Sequence, residues 1–279
     1  MHSSTIVLES QLDWLTASVN SHEKAVQLNW DVTRWGQAEA RDGEAKHAFS
    51  IGPYVGWRIG RVRFGLRANA AIVQLSGDLA RQHFDSMWKI HDSLTRLDIA
   101  TTVRLESYDA EVARWSYSAA IEHRKAHPTS ALPSLVQDSD GGSTLYVGGR
   151  ASDRYLRIYN KEREQRAVRD LEGAGRYVRC WRYELELKGP AAHAVGQALA
   201  AQPDRAGWIQ SYIHHHCIEH GIQPMFDPST VRAIATGFRR RSDRDSRLAW
   251  LQKSVAPTIT WLLESTPRDE LLHKLGLDS

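Results

Sequence analysis

Residues 152–161 read SDRYLRIYNK and residues 182–189 read RYELELKG. Side chains alternate faces along a strand, so in the first stretch Tyr155, Arg157, Tyr159 and Lys161 share one face while Leu156 and Ile158 point the other way. In the second, Arg182, Glu184, Glu186 and Lys188 share a face, with Tyr183, Leu185 and Leu187 opposite. A third stretch, TRLDIA at 95–100, sets Arg96 and Asp98 against Leu97 and Ile99. Each is polar on one side and apolar on the other, the pattern of a sheet with one solvated face.

Working outward, 8–19 reads as a strand, followed by a helix that Ser21 caps and that runs to about Trp35. Over 54–77, Trp57, Ile59, Val62, Phe64 and Leu66 with a polar break near Asn69 predict an antiparallel pair. Leu79, Phe84, Trp88 and Ile90 recur at helical spacing over 78–93, TRLDIATTVRL returns to strand character, and 110–125 is helical until His127 and Pro128 stop it. The segment PTSALPSLVQDSDGG, 128–142, reads as a loop joining two halves. Beyond it come STLYVGGR, SDRYLRIYNK, a charged helix in KEREQRAVRDLEG, the strand VRCWRYELELKG, and a helix with Pro190 in its first turn. The order hairpin, helix, strand, helix occurs twice, and each later strand carries Arg-x-acid. The expected fold is α+β: a duplicated hairpin-helix-strand-helix unit (about 8–127 and 142–205) forming a mainly antiparallel sheet with helices packed on one face. Helical patterning over 208–220, 229–236, 246–265 and 269–275 predicts a C-terminal helical appendage, 206–279, beyond a catalytic domain of 1–205.

With 279 residues, 42% apolar and 25% charged, such a chain buries about 70–75% of its unfolded surface. Cys180 and Cys217 are too few for a disulfide framework and read as packed thiols. No apolar run reaches the ~18 residues of a membrane span, and Met1 to Ser10 lack the basic and apolar regions of a signal peptide. A cytoplasmic protein with no membrane partner is expected. The net charge of +3 does not by itself demand a polyanion. Arginines nevertheless cluster in TGFRRRSDRDSRLAW, 236–250, where Arg239, Arg240 and Arg241 suit phosphates; a solvated basic loop is the alternative. The tryptophans, among them Trp14, Trp88, Trp115 and Trp261, sit at apolar-periodic positions and are expected in the core. In HHHCIEH, 214–220, His216 and His220 stand at i,i+4, but the segment lacks a spaced metal motif and reads as a histidine cluster beside core Ile213 and Ile218.

If the three quoted strands are neighbours, one sheet face carries a tyrosine, three carboxylates and several cations. A phenol, with a pKa near ~10, attacks poorly at neutral pH unless positive charge favours the phenolate. Arg157 and Lys161 are placed to supply that charge. Asp98, Glu184 and Glu186 are oxygen ligands of the kind Mg²⁺ or Mn²⁺ prefers, and such an ion polarises a phosphoryl oxygen. The alternative is that the glutamates form cross-strand ion pairs with arginines.

The run TLYVGGRASDRYLRIYNKERE (144–164), with RYELELKG after it and TRLDIA before it, resembles the Rep_trans replication-initiation-factor family. Its members include initiators of rolling-circle plasmids, filamentous-phage replication proteins and relaxases of some conjugative elements. The resemblance spans about Leu8 to Pro190. It implies a metal-dependent nickase that cuts one strand at an origin, stays attached to the 5′ phosphate through tyrosine and leaves a 3′ hydroxyl for a polymerase. Carried over, the nucleophile is Tyr159, with Tyr146 and Tyr155 as alternatives. The acidic metal positions are Asp98 and Glu184, with Glu186 added from its strand face. Arg150, Arg154 and Lys188 join Arg239, Arg240 and Arg241 as expected DNA contacts. Origin DNA, single-stranded or as a hairpin bearing the nick site, is the implied substrate, with a host helicase and polymerase as partners; a homodimer is compatible with this. A non-catalytic DNA-binding or copy-control protein of the same fold is the runner-up. The His-hydrophobic-His metal triplet of better-known rolling-circle nickases is absent from the chain.

Overall fold

The computed structural model describes residues 5–39, 46–106, 111–137, 142–168 and 171–231. The first half contains β1 (Thr5–Val19), α1 (His22–Glu39) and a meander of β2 (His47–Ile51), β3 (Tyr54–Ile59), β4 (Val62–Arg67) and β5 (Ala70–Ser76). It continues with α2 (Asp78–Ile90), β6 (Ser93–Leu105) and α3 (Val112–Ala126). The second half contains β7 (Pro133–Gln137), β8 (Ser143–Val147), β9 (Arg154–Asn160), α4 (Lys161–Ala167), α5 (Leu171–Arg176), β10 (Cys180–Lys188), α6 (Gly189–Ala200) and α7 (Arg205–Glu219). The strands form one sheet in the order β2-β3-β4-β5-β1-β6-β10-β9-β8-β7, and every described pairing is antiparallel.

Period-two alternation decides which side is buried. Leu97 opposes Leu187 and Ile99 opposes Leu185 across β6 and β10, and Leu185 opposes Leu156 across β9. This apolar face continues through Leu15, Leu75 and Val62 and forms one core with side chains from α1, α2, α3, α6 and α7. The Arg-x-acid strands of the two halves, β6 and β10, lie side by side at the centre, so the α+β architecture with helices on one face holds.

The halves are less alike than the sequence pattern suggests, because β1 inserts between β5 and β6 whereas β9 pairs directly with β10. Residues 54–77 make three strands and not a pair. The reversals fall at Gly60, with φ of 51°, and at Ala68, with φ of 50°, and the second lacks the glycine that usually marks such a turn. The expected loop 128–142 contains β7, where Pro133 begins an edge strand and needs no ladder donor. KEREQRAVRDLEG forms two short helices, α4 and α5.

The expected boundary at 205/206 is also displaced. Trp208, Ile213 and Cys217 of α7 are buried in the sheet core, and the compact unit runs from Met1 to Thr236, with Gly237–Ser279 as a second unit. That second unit, the helices expected at 246–265 and 269–275, and Trp261 lie outside the described residues. Trp115, expected in the core, is 56% exposed, and Trp14 sits on the polar face beside Arg96 and Arg63. No helix among the described residues is long and apolar enough to cross a membrane.

Gly56 and Gly65 face each other across β3 and β4. A Cβ on Gly56 would meet the Phe64 carbonyl oxygen at 2.0 Å, whereas one on Gly149 would meet only Ser152 Oγ, at 3.7 Å. Gly56→Ala should therefore destabilise the protein by about 2–3 kcal/mol, at the upper end of ordinary substitutions. Gly149→Ala should stay within ~0.5 kcal/mol, and urea unfolding midpoints at constant slope measure both.

Candidate active site

On the face opposite the helices, β6, β10 and β9 bring together the residues picked out by alternation. Glu186 lies opposite Asp98 on one side and Tyr155 on the other, Glu184 opposite Arg157, and Arg182 opposite Tyr159. Asp98 is buried and gripped by Arg96 in a fork, Nε to Oδ1 at 2.8 Å and Nη2 to Oδ2 at 2.6 Å. The same guanidinium reaches Glu186 at 2.9 Å, and Lys188 holds the other oxygen of Glu186 at 2.7 Å. Glu184 accepts hydrogen bonds from the Arg157 guanidinium and from the Tyr159 hydroxyl, the latter at 2.9 Å.

Asp98, Glu184 and Tyr159 line a cleft of about 790 Å³ together with Trp14, Tyr146 and residues of α4. Glu186 is held beside it by Arg96 and Lys188. Of the tyrosines considered as nucleophile, Tyr155 is buried in a stack with Tyr146, ring centroids 5.5 Å apart, and its hydroxyl bonds Arg150. Tyr146 lines the cleft, but Tyr159 is the one bonded to a site carboxylate.

The electrostatics correct one expectation. Burial, and then the negative charge of Glu184, raise Tyr159 well above the ordinary phenol range, so the flanking cations do not hold a phenolate here. Arg157 is engaged with Glu184, and Lys161 is engaged with Glu164 at 2.8 Å. Lys161 no longer belongs to the strand: β9 ends at Asn160, whose side chain accepts from the Arg163 amide at 2.9 Å and caps α4. The Lys161 ammonium sits 5.9 Å from the Tyr159 ring centre.

Among the described residues, no three His, Cys, Asp or Glu side chains are already gathered as metal ligands; the carboxylates hold arginines instead. The donor chemistry still fits a hard divalent ion, since three carboxylates are buried on one face. Burial first, and then the charges of Glu184 and Glu186, push Asp98 up to about 7 against the pull of Arg96. A cation is the partner that would relieve this repulsion.

The expected DNA contacts separate. Arg150 is exposed, and Lys188 also donates to its carbonyl oxygen. Arg154 lies on the opposite face, 4.0 Å from Glu219 on α7, because it alternates with Tyr155 and so points towards the helices. Arg239, Arg240 and Arg241 lie outside the described residues. In the histidine cluster, His216 is buried and its ring centre is 4.8 Å from that of His220, while Ile218 is exposed. Burial, aided by His216, lowers His220 to about 4. Both cysteines are buried free thiols.

Sequence reading missed the contribution of β1. Arg182, 1% exposed, pairs with Glu9 at 3.2 Å and Asp13 at 3.0 Å and donates to Thr102 at 3.1 Å. The polar positions Glu9, Gln11 and Asp13 alternate within LESQLDW and were a readable signal for this.

A model of the Rep_trans replication initiation factor family matches residues 92–275, more than half of the chain. The chain belongs to this family. Two replication initiation proteins of Staphylococcus aureus are 47% and 33% identical to this chain, each over 98 residues, 35% of this chain and 26% of the relative. The matched region thus spans about a quarter of those relatives' length. The solved structure of a rolling circle replication initiator protein from Geobacillus stearothermophilus shares the fold, with a TM-score of 0.50 at 17% identity, covering 76% of this chain and 85% of that one.

The state of Asp98 gives this protein a pH signature. Its folded pKa, about 7, lies above the ordinary 3.8, so the folded state binds the proton more tightly than the unfolded chain. The resulting stability is fully present below about 3.8 and is lost as pH rises through about 7. Relative to Asp98→Asn, the metal-free wild type should lose roughly 4 kcal/mol across that window, measured as the difference between the two denaturation curves at each pH.

Proposed function

We propose that this initiation factor nicks one strand of origin DNA in the cytoplasm and carries the cut end as a 5′-phosphotyrosine on Tyr159. The observation that supports this reading most is the 2.9 Å hydrogen bond from the Tyr159 hydroxyl to Glu184 in the wall of the open cleft. A phenol held well above its usual pKa attacks only if its proton leaves during the step. Glu184 is in place to accept that proton, and Arg157 orients the carboxylate. As the Tyr159 Oη–P bond forms, the bond from phosphorus to the 3′ oxygen breaks, and that oxygen takes a proton from water. The 3′ hydroxyl can then serve a host polymerase while a helicase opens the duplex. Attack by a 3′ hydroxyl on the phosphotyrosine reverses the step, rejoins a strand and frees Tyr159. Asp98 and Glu184, with Glu186 beside them, are the residues that would hold Mg²⁺ or Mn²⁺, which supplies Lewis-acid polarisation of the phosphoryl oxygens when bound.

One observation favours the non-catalytic DNA-binding or copy-control reading: Asp98, Glu184 and Glu186 are each paired with an arginine or lysine, as in a structural ion-pair network. The covalent adduct separates the two readings. Incubated with single-stranded origin DNA and Mn²⁺, wild type should yield a protein–DNA adduct on a denaturing gel. Tyr159→Phe should form none while binding DNA as tightly as wild type, and Tyr146→Phe and Tyr155→Phe should retain the adduct. Asp98→Asn, Glu184→Gln or excess chelator should reduce the adduct to background with the fold intact. An adduct that survives Tyr159→Phe, or full activity in chelator, overturns the assignment.

A further inference from the structure

The polar face does not stop at the carboxylates. Across β1, β5 and β4 it continues into a region of opposite character. Trp14 lies opposite Asp98 on one side and Ser76 on the other, and it packs against two guanidiniums, Arg96 at 5.0 Å and Arg63 at 5.4 Å from its ring centre. Arg63 is also 5.0 Å from the ring centre of Phe49 on β2, and Arg58 is its direct neighbour on β3. Guanidinium and aromatic ring therefore alternate from Phe49 to the edge of the cleft, where Trp14 forms part of the wall.

The charge balance changes along this row. Arg96, Arg157 and Arg182 each pair with carboxylates. Arg58 and Arg63 have no carboxylate partner among the described residues: Arg58 donates to the Gly60 carbonyl oxygen, and Arg63 reaches only the Gln74 side chain, at 3.4 Å. Partial burial and the like charge of Arg58 both act against the charged form of Arg63. Two adjacent cations with no carboxylate partner among the described residues, one fixed between rings, make a ready seat for an anion.

We propose that Arg58, Arg63, Phe49 and Trp14 form a binding track for the single DNA strand flanking the scissile phosphate, with guanidiniums on its phosphates and rings against its bases. The proposal rests on the strand-cutting reading above and extends it to substrate binding. Five strand spacings separate β9 from β4, about 24 Å, so the track reaches well beyond the reacting phosphate. The broad sheet favours a single strand over duplex, because a major groove about 12 Å wide admits a helix or a two-stranded ribbon. Aromatic side chains beside cations are the general means of holding unpaired bases without reading their sequence.

The test measures binding in the full chain carrying Tyr159→Phe, so that no cutting intervenes, using labelled oligothymidine of about 16 nucleotides, the upper end of a single-platform footprint. Adding Arg63→Gln should reduce the slope of log affinity against log salt by about 0.7, the step for one phosphate on a single strand. Phe49→Leu should weaken binding about fivefold or more with the slope unchanged. Neither change should affect binding to duplex of equal length. Arg58→Gln, at an exposed position, repeats the salt measurement if Arg63→Gln lowers the unfolding midpoint. Unchanged slopes in the arginine variants, or equal losses on single strand and duplex, overturn the track. The adduct formed by wild type is scored separately: its absence would sink the cutting reaction and leave the binding result standing.

Discussion

A charged side chain on a sheet strand can be buried only where another strand brings it a counter-charge, and the centre of this molecule is arranged around that constraint. Five helices cover the apolar face, so the charges of β6 and β10, and Arg157 of β9, are forced onto the other side, while Arg154 at the start of β9 meets Glu219 of α7. There Arg96 bridges Asp98 to Glu186, Arg157 meets Glu184, and Arg182 is enclosed by Glu9 and Asp13. Such pairs add little net stability, but removing one member strands its partner at a cost of about 3–5 kcal/mol. The network therefore pins the relative register of β1, β6, β10 and β9 more than it strengthens the fold.

That pinning places Tyr159. Its neighbour on β10 is Arg182, the most deeply enclosed cation of the network, and its hydroxyl is directed at Glu184. The carboxylates divide in consequence. Asp98 is crowded by like charge and held near neutrality of its proton equilibrium, while Glu184 is turned to the tyrosine. Two acids on adjacent strands thus have different surroundings, Asp98 in the fork of Arg96 and Glu184 between Arg157 and the Tyr159 hydroxyl.

Much of this was legible in the sequence, because period two is an unambiguous rule once a strand is recognised. RYELELKG and TRLDIA carried the right faces, while their adjacency remained a condition of the reading until the sheet order supplied it. What failed did so for physical reasons. Lys161 follows Tyr159 at strand spacing, yet Asn160 starts a helix there, a local capping event that overrides alternation. Arg154 looked basic and nearby but alternates away from Tyr155. The tight reversal at Ala68 has no glycine to announce it, and α7, whose patterning was equally compatible with a separate helical region, proves to be a wall of the core. Long-range partners such as Glu9 and Asp13 depend on which strands become neighbours, and that information lies in the topology and not in any short segment.

The position of β9 also has a mechanical meaning. Its seven residues are laddered to β10 on one side, and four of them, Leu156 to Tyr159, to β8 on the other, and its nucleophilic candidate stands one residue before the strand gives way to a capped helix. Tension applied through a tether at Tyr159 along the strand would load both ladders in shear, spreading the force over many hydrogen bonds at once instead of opening them one at a time as at a sheet edge. A tyrosine at the outer strand β7 would have a single ladder behind it. On the covalent reading proposed above, the interior location suits an anchorage point that keeps its shape while a long polymer is hauled away from it.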